Sequence, residues 1–287
     1  MPLSIAHLGP AGTYAEQAAL AYVGLVPSSF DTMLCPCTSI AQTIQATVEG
    51  KTQLTVAPIE NSIEGSVAAT LDTLWRHPTL QIRQALVLPI RHVLIAQTPD
   101  LNAIKTVYSH PQALGQCQKW LESYLPEAAA IPTNSTTEAL QYVEAGTSTA
   151  AISSERAAQL YNLPIIKRDI QDHPDNCTRF WVLSQPSGTH LPETITADCI
   201  YTSLAFSLPA NQPGALLKAL QIFAERSINL SRIESRPSRR SMGDYVFFID
   251  AEIDAASDSF QSAWAQLQAT TEVLANFGSY PLITVTS

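Results

Sequence analysis

Residues 3–24 read LSIAHLGPAGTYAEQAALAYVG: a short apolar run, a small-residue loop at Gly9-Pro10-Ala11-Gly12-Thr13, then a helical pattern. A run of this length closed by a glycine turn reads as a strand, and the segment behind it as a helix. The unit recurs along the chain. LTVAPIE passes through Asn61-Ser62-Ile63-Glu64-Gly65-Ser66 into VAATLDTLWRH, and IKTVYSH precedes PQALGQCQKWLESYL, where Leu114, Cys117, Leu121 and Tyr124 keep helical spacing. AAAIPTN precedes STTEALQYVEAG, with Ser135 and Glu138 in capping-box positions and Gly146 as a stop; AAIS leads into SERAAQLYNL, which Pro164 ends. Repeated strand–helix units predict an α/β fold with a mostly parallel sheet covered on both faces. Ligands in such folds bind where strand C-termini meet helix N-termini.

The pattern changes after QPSGTHLPETITAD, Gln185 to Asp198, whose Pro, Ser, Thr and Gly content reads as a linker. Beyond it YTSLAFSLP alternates, PGALLKALQIFAER is helical with Pro213 in its first turn, and INLSRIESRP and DYVFFIDAEI flank the turn SRRSMG. SFQSAWAQLQATTE and VLANFGSYP complete a βαββαβ order, the ferredoxin-like arrangement. We therefore expect one unit over residues 1–184, a linker over 185–199 and a second unit over 200–287.

Composition narrows the function. The 287 residues carry 16 Lys plus Arg against 25 Asp plus Glu, a net charge of −9, and 46% are apolar. That apolar content supports packed cores, and so few cations do not make a nucleic-acid surface. No run reaches the ~20 residues of a membrane span, and MPLSIAHLGP is unlike a signal peptide. Five scattered cysteines suit reduced thiols in a cytoplasm.

Several motifs fall in strand–helix turns. Gly9–Thr13 offers backbone N–H groups to an anion, or simply makes a tight turn. Glu60, Asn61 and Ser62 end an apolar strand and could orient a polar substrate or cap a helix. Ser109-His110-Pro111-Gln112 opens another helix; with no Asp or Cys beside it, His110 reads as structural, and Cys117 as a buried, inert thiol. Cys35-Pro36-Cys37 lacks a second ligand pair, so no metal site is expected. Arg179, in the strand TRFWVLS beside Phe180, needs an anion, either an internal carboxylate or a substrate carboxylate. Thr178 and Arg179 alternate faces and share one site only where the strand twists. In the second unit, Gly214 opens a helix, and Glu234-Ser235-Arg236-Pro237 ends a strand with opposite charges; together the two could enclose a zwitterion.

GPAGTYAEQAAL, APIENSIEGSV, YSHPQALGQC, NSTTEAL, DNCTRFWV, PGALLKAL, IESRP and GSYP together, in that order, resemble the prephenate dehydratase family with its C-terminal ACT domain. Ala15 and Thr137 depart from the family pattern, and the chain begins at the dehydratase, which reads as a monofunctional enzyme. The resemblance implies a two-lobed, periplasmic-binding-protein-like catalytic domain, with lobes of about 1–78 plus 168–184 and 79–167, and an ACT domain that binds L-phenylalanine between subunits of a homodimer or homotetramer. It implies decarboxylating dehydration of prephenate to phenylpyruvate without a cofactor. Thr178 is then placed at the leaving hydroxyl, Asn61 and Gln116 orient substrate, and Glu60 relays a proton or fixes Asn61. Arg179, Thr13, Ser62, Ser109 and Phe180 bind substrate, and Gly214, Ala215, Leu216, Leu217, Glu234, Ser235, Arg236 and Pro237 bind L-phenylalanine. Arogenate dehydration and a non-catalytic amino-acid-binding regulator are the alternatives.

Overall fold

The opening unit forms as its spacing predicts in the computed structural model, which describes residues 2–144, 146–186, 191–192 and 200–285. β1 (Leu3–Leu8) enters the Gly9–Thr13 loop, and Thr13 caps α1 (Tyr14–Leu25) by accepting the Glu16 N–H. There follow β2 (Thr32–Cys37), α2 (Ile40–Val48), β3 (Leu54–Asn61), β4 (Gly65–Ser66), α3 (Ala68–Arg76) and β5 (Gln81–Pro89). The chain then crosses to a second lobe built of β6 (Val93–Ala96), β7 (Thr106–Ser109), α4 (Pro111–Gln116), α5 (Gln118–Tyr124), β8 (Ala129–Pro132), α6 (Leu140–Glu144), β9 (Thr149–Ser153), α7 (Glu155–Leu160) and β10 (Ile165–Lys167). It returns through β11 (Cys177–Ser184). The remainder is β12 (Ile200–Ser207), α8 (Ala215–Ala224), β13 (Leu230–Pro237), β14 (Tyr245–Ala251), α9 (Asp258–Thr270) and β15 (Val273–Thr284), the βαββαβ order of an ACT domain.

The second lobe has its own sheet, in the order β10-β6-β9-β7-β8. The other strands form one sheet, β13-β14-β12-β15-β5-β11-β3-β1-β2, with β4 beside β3. Two features differ from expectation. The expected lobe break before residue 79 is displaced, because β5 lies in the first sheet, paired along its length with β11. The sheets are also less parallel than the repeated units suggested: β1 pairs parallel with β2 and β3, but β11 runs antiparallel between β3 and β5. The cause is that β5 leads towards the second lobe and β11 comes back from it, so the two crossings run in opposite senses.

The first sheet continues from the first lobe into the C-terminal βαββαβ unit through β15. Val273–Pro281 pairs with β12, and Leu282–Thr284 pairs with Ala85–Val87 of β5. Gly278 (φ +93°) sits before the changeover, at the irregularity of the β12 pairing between Asn276 and Ser279, where a Cβ would lie 2.7 Å from Gln81 Oε1. The core beneath the junction is shared: Ile59, Leu71 and Trp181 of the first lobe pack with Phe248, Phe277 and Tyr280 of the C-terminal unit, all at most 1% exposed.

Candidate active site

Between the two lobes lies a cavity of about 780 Å³. One side is the end of β1, the Gly9–Thr13 loop and the start of α1, with Pro58 and Asn61 from β3 and Thr178 and Phe180 from β11. The other is Ile90 and His92 from the crossing segment, His110 to Gln116 around α4, and Asn134, Ser135, Thr136 and Glu138. Among the described lining residues there is no Lys or Arg.

A continuous hydrogen-bonded chain runs along the wall. The Asn61 side-chain oxygen accepts the N–H groups of Ile63 (2.9 Å) and Glu64 (3.0 Å), which fixes the amide. Asn61 Nδ2 therefore donates, to Thr178 Oγ1 (3.0 Å) and Asn176 Oδ1 (2.9 Å), and also lies 3.2 Å from the Cys177 carbonyl. Asn176 Nδ2 in turn donates to Gln116 Oε1 (3.0 Å), which also meets His92 Nε2 at 2.9 Å. His92 Nδ1 faces the Tyr14 hydroxyl at 3.2 Å, and that hydroxyl donates to the Arg91 carbonyl. Burial holds the His92 imidazole below its usual pKa range, the Gln116 bond opposing, and burial pushes the Tyr14 phenol up. Both are therefore neutral near pH 7. Because Thr178 Oγ1 accepts from Asn61, its own proton is left to donate into the cavity.

Thr178, Asn61, Gln116, Thr13 and Phe180 are thus brought together. The Thr13 hydroxyl is already engaged, donating to the Leu8 carbonyl and accepting the Glu16 N–H, so this residue shapes the loop more than it offers a free donor. Ala15, one of the two departures from the family pattern, also lines the cavity; the other, Thr137, is buried behind it.

Four expected site residues lie elsewhere. Ser62 is exposed and accepts the Cys177 N–H, closing the turn after β3. Ser109 is fully buried and donates to the Ile152 carbonyl at 2.6 Å. Arg179 and Glu60 are cross-strand partners on the face opposite Thr178 and Asn61, and their charged groups are 3.7 Å apart. Arg179 also meets Asp250 of the ACT domain at 3.2 Å. The expected substrate carboxylate on Arg179 and the proton relay at Glu60 are therefore corrected, because strand alternation turns both side chains away from the cavity. Asp250 is fully buried between Arg179 and Arg232 (2.8 Å) and accepts from Ser203 at 2.6 Å.

Sequence reasoning gave no site role to His92, Tyr14, Asn176 or the Asn134–Glu138 segment. Asn176 lies within the quoted DNCTRFWV, Ser135 and Glu138 were read as a cap, and His92 follows Arg91 at the edge of an apolar run. His110 does line the cavity, and its ring also caps α4 by accepting the Gln112 N–H. Cys117 is buried, and burial raises its thiol pKa, with Asp172 adding to the shift. Among the described residues no three His, Cys, Asp or Glu side chains gather as metal ligands.

In the ACT domain a second cavity, about 310 Å³, is lined by Gly214, Ala215, Leu216 and Leu217 opposite Gly243–Tyr245 and Phe247. Glu234, Ser235, Arg236 and Pro237 do not line it. Instead Glu234 accepts from Ser66 at 3.0 Å, and Arg236 forms a two-bond pair with Asp72, both partners belonging to the catalytic lobe. The expected single enclosure of 214–217 with 234–237 is therefore not formed within one chain.

A cleft of hydroxyl and amide donors between two α/β lobes, carrying an ACT domain on the same sheet, defines a regulated enzyme acting on a small molecule. The prephenate dehydratase family model matches residues 5–188, and the ACT domain model matches residues 202–261. The chain belongs to the prephenate dehydratase family. It is 36% identical to the prephenate dehydratase of Methanocaldococcus jannaschii over 98% of this chain and 99% of that one. Its fold matches the crystal structure of an Arthrobacter aurescens prephenate dehydratase in complex with L-Phe, at TM-score 0.86 and 35% identity over 97% of this chain and 90% of that one. It also matches GqqA, described as a quorum-quenching acylase, at TM-score 0.81 and 27% identity over 98% of each chain.

Proposed function

We propose that this chain converts prephenate to phenylpyruvate, a step in L-phenylalanine biosynthesis, and that L-phenylalanine regulates it through the ACT domain. The observation that carries the chemistry is Thr178, held by the Asn61 amide with its own proton free towards the cleft. In the reaction the bond from the ring to its carboxylate breaks and CO2 leaves. The released electron pair forms a ring double bond, the adjacent ring double bond shifts by one position, and the C–O bond to the hydroxyl on the opposite ring carbon breaks, leaving an aromatic ring. The departing oxygen takes one proton and leaves as water. Thr178 is positioned to donate that proton and to be refilled from solvent; a positioned donor of this kind contributes about 10²–10⁴-fold.

Leu8, Ile40, Val67, Ile90 and Phe180 around the cleft make it a poor solvent for the carboxylate that is lost. Transfer from water into such a wall favours neutral CO2 over the anion. The second carboxylate fits the N-terminal turn of α1, which opens on the cavity at Thr13, Tyr14 and Ala15. Thr178 has an amide as its partner, and an amide does not take a proton, so the hydroxyl is not set up as a nucleophile.

The same reading assigns residues 1–184 to catalysis, 185–199 to a linker and 200–287 to regulation. L-Phenylalanine would sit in the cavity at Gly214–Leu217, and residues 234–237 of a second copy would complete it, which makes the working protein a homodimer or homotetramer. A cytoplasmic location agrees with the free thiols of Cys35, Cys37, Cys117 and Cys177; no described helix is long and apolar enough to cross a membrane.

The test is an ultraviolet assay of phenylpyruvate from prephenate, run beside phenylalanine from arogenate and repeated with millimolar L-phenylalanine. Turnover of prephenate that responds to L-phenylalanine is expected. No phenylpyruvate would overturn the function, and an unchanged rate with no calorimetric binding would overturn the regulation.

A further inference from the structure

The chain of side chains behind the cavity has an end whose state is dictated from the far side. Backbone N–H groups only donate, so Ile63 and Glu64 fix the oxygen of Asn61 towards themselves. Asn61 Nδ2 must then face Asn176 Oδ1, Asn176 Nδ2 must face Gln116 Oε1, and Gln116 Oε1 is left facing His92 Nε2. An oxygen opposite a ring nitrogen at 2.9 Å requires that nitrogen to carry the hydrogen. His92 therefore has its proton on Nε2 in the neutral form, and Nδ1 is bare, an acceptor 3.2 Å from the Tyr14 hydroxyl that competes with the Arg91 carbonyl for its single proton. His92 is itself 2% exposed, and its ring packs edge-on against Tyr14 at 5.7 Å, so it has little freedom to turn away.

The consequence falls on Gln116. Its oxygen accepts from both His92 and Asn176, so its NH2 group is turned outwards, with Glu64 Oε1 3.4 Å from Nε2. Without the His92 N–H the Gln116 amide loses one of the two donors that set its orientation. A flipped Gln116 would set its NH2 against that of Asn176, and the Asn176–Asn61–Thr178 chain would lose its order in turn. Resting on the dehydratase reading of this cleft, we propose that His92 is a positioning residue of the reaction: its Nε2–H locks Gln116, and through Asn176 and Asn61 it keeps the Thr178 proton directed into the cavity.

The test uses the full chain and three measurements. First, ¹⁵N NMR of the unmutated protein at neutral pH reads the tautomer, and a protonated Nε2 with a bare Nδ1 is expected; the opposite tautomer overturns the proposal, whether or not any variant folds. Second, His92→Phe keeps a ring and removes the donor, and its kcat on prephenate should fall about 100-fold, the scale of a small misplacement of reacting groups. Third, His92→Gln returns an N–H near the Nε2 position and should restore kcat to within about threefold of the unmutated protein. Thermal melting of each variant is recorded beside its kinetics. An unchanged kcat in His92→Phe, or an equal loss in His92→Gln at matching melting temperature, would refute the role. Failure of the unmutated chain to form phenylpyruvate would instead strike the dehydratase reading, and the tautomer would still judge the network.

Discussion

Thr178 and Arg179 are neighbours with opposite destinations. Along β11 one side chain enters the cavity and the next enters the seam with the ACT domain. The sequence showed the alternation, and it showed that an arginine in an apolar strand needs an anion. It could not show that the anion is Asp250, 71 residues further on, because a carboxylate inside a β-strand reads locally as a solvent-facing residue. Thr178→Val keeps the shape and removes the hydroxyl. Its kcat should fall by about 10²–10⁴-fold with a melting temperature close to the unmutated value, checked by steady-state kinetics and calorimetry. Two buried imidazoles set a pH response. Burial lowers the pKa of His92, opposed by Gln116, and lowers that of His7, opposed by the Leu8 carbonyl and Glu16. The unfolded chain therefore binds more protons just below the ordinary histidine value of about 6.5. Stability from these groups is complete above that value and is lost as pH falls through the lower folded values, by up to about 1.4 kcal/mol per pH unit for each proton. Denaturant titrations at pH 7.5 and stepwise down to about pH 5 should show the decline, and His92→Gln should make it shallower.

At the scale of elements, the Gly9–Thr13 loop does more than face the cavity. Gly12 (φ +88°) lies against α7 of the other lobe, where an added Cβ would stand 3.0 Å from Ala157 Cβ, and Ser154 Oγ donates to its carbonyl at 2.7 Å. The Gly12 N–H also reaches the Glu16 carboxylate at 2.7 Å. The glycine thus permits the two lobes to meet at the back of the cleft. Gly12→Ala should cost about 1–3 kcal/mol from the left-handed backbone and the contact together. It should also raise KM for prephenate as the lobes are wedged apart, which kinetics beside a melting curve would check. A tight turn was legible from the glycine pattern, but the partner helix was not, since Ala157 comes from another strand–helix unit. The ACT segment 234–237 shows the same limit. Its charges were visible as a binding motif, while Ser66 and Asp72, which they meet, lie in β4 and α3.

Across the whole molecule, a protein with only 16 Lys and Arg places four arginines at the seam between its catalytic lobe and its ACT domain. Arg179 and Arg232 share the buried Asp250, and Arg236 and Arg239 share Asp72. Burial works against the Asp72 carboxylate, but Arg236 and then Arg239 overcome it and hold its pKa below the usual range. Asp250→Asn leaves two guanidinium groups without their carboxylate, Arg232 also lying over the Trp181 ring at 5.4 Å. It should destabilise the protein by about 3–5 kcal/mol in chemical denaturation; a loss below about 1 kcal/mol would mean that the seam relaxes around the change. The presence of two units and the βαββαβ order of the second were readable in advance, whereas β2, α2, β5 and β6 were not. The fusion of the two units into one sheet was not, because it depends on the last three paired residues of β15.

That fusion has a consequence for how the protein is made. During synthesis β5 emerges long before Leu282–Thr284, the segment that covers its outer edge. Until then the edge is an open template for pairing with another chain. Every residue from β5 through β15 must be present before this contact can form, a separation that slows folding. A nascent chain stalled just before Leu282 should therefore carry an unsealed sheet, and Leu282–Thr284 act as the clasp that retires it from aggregation.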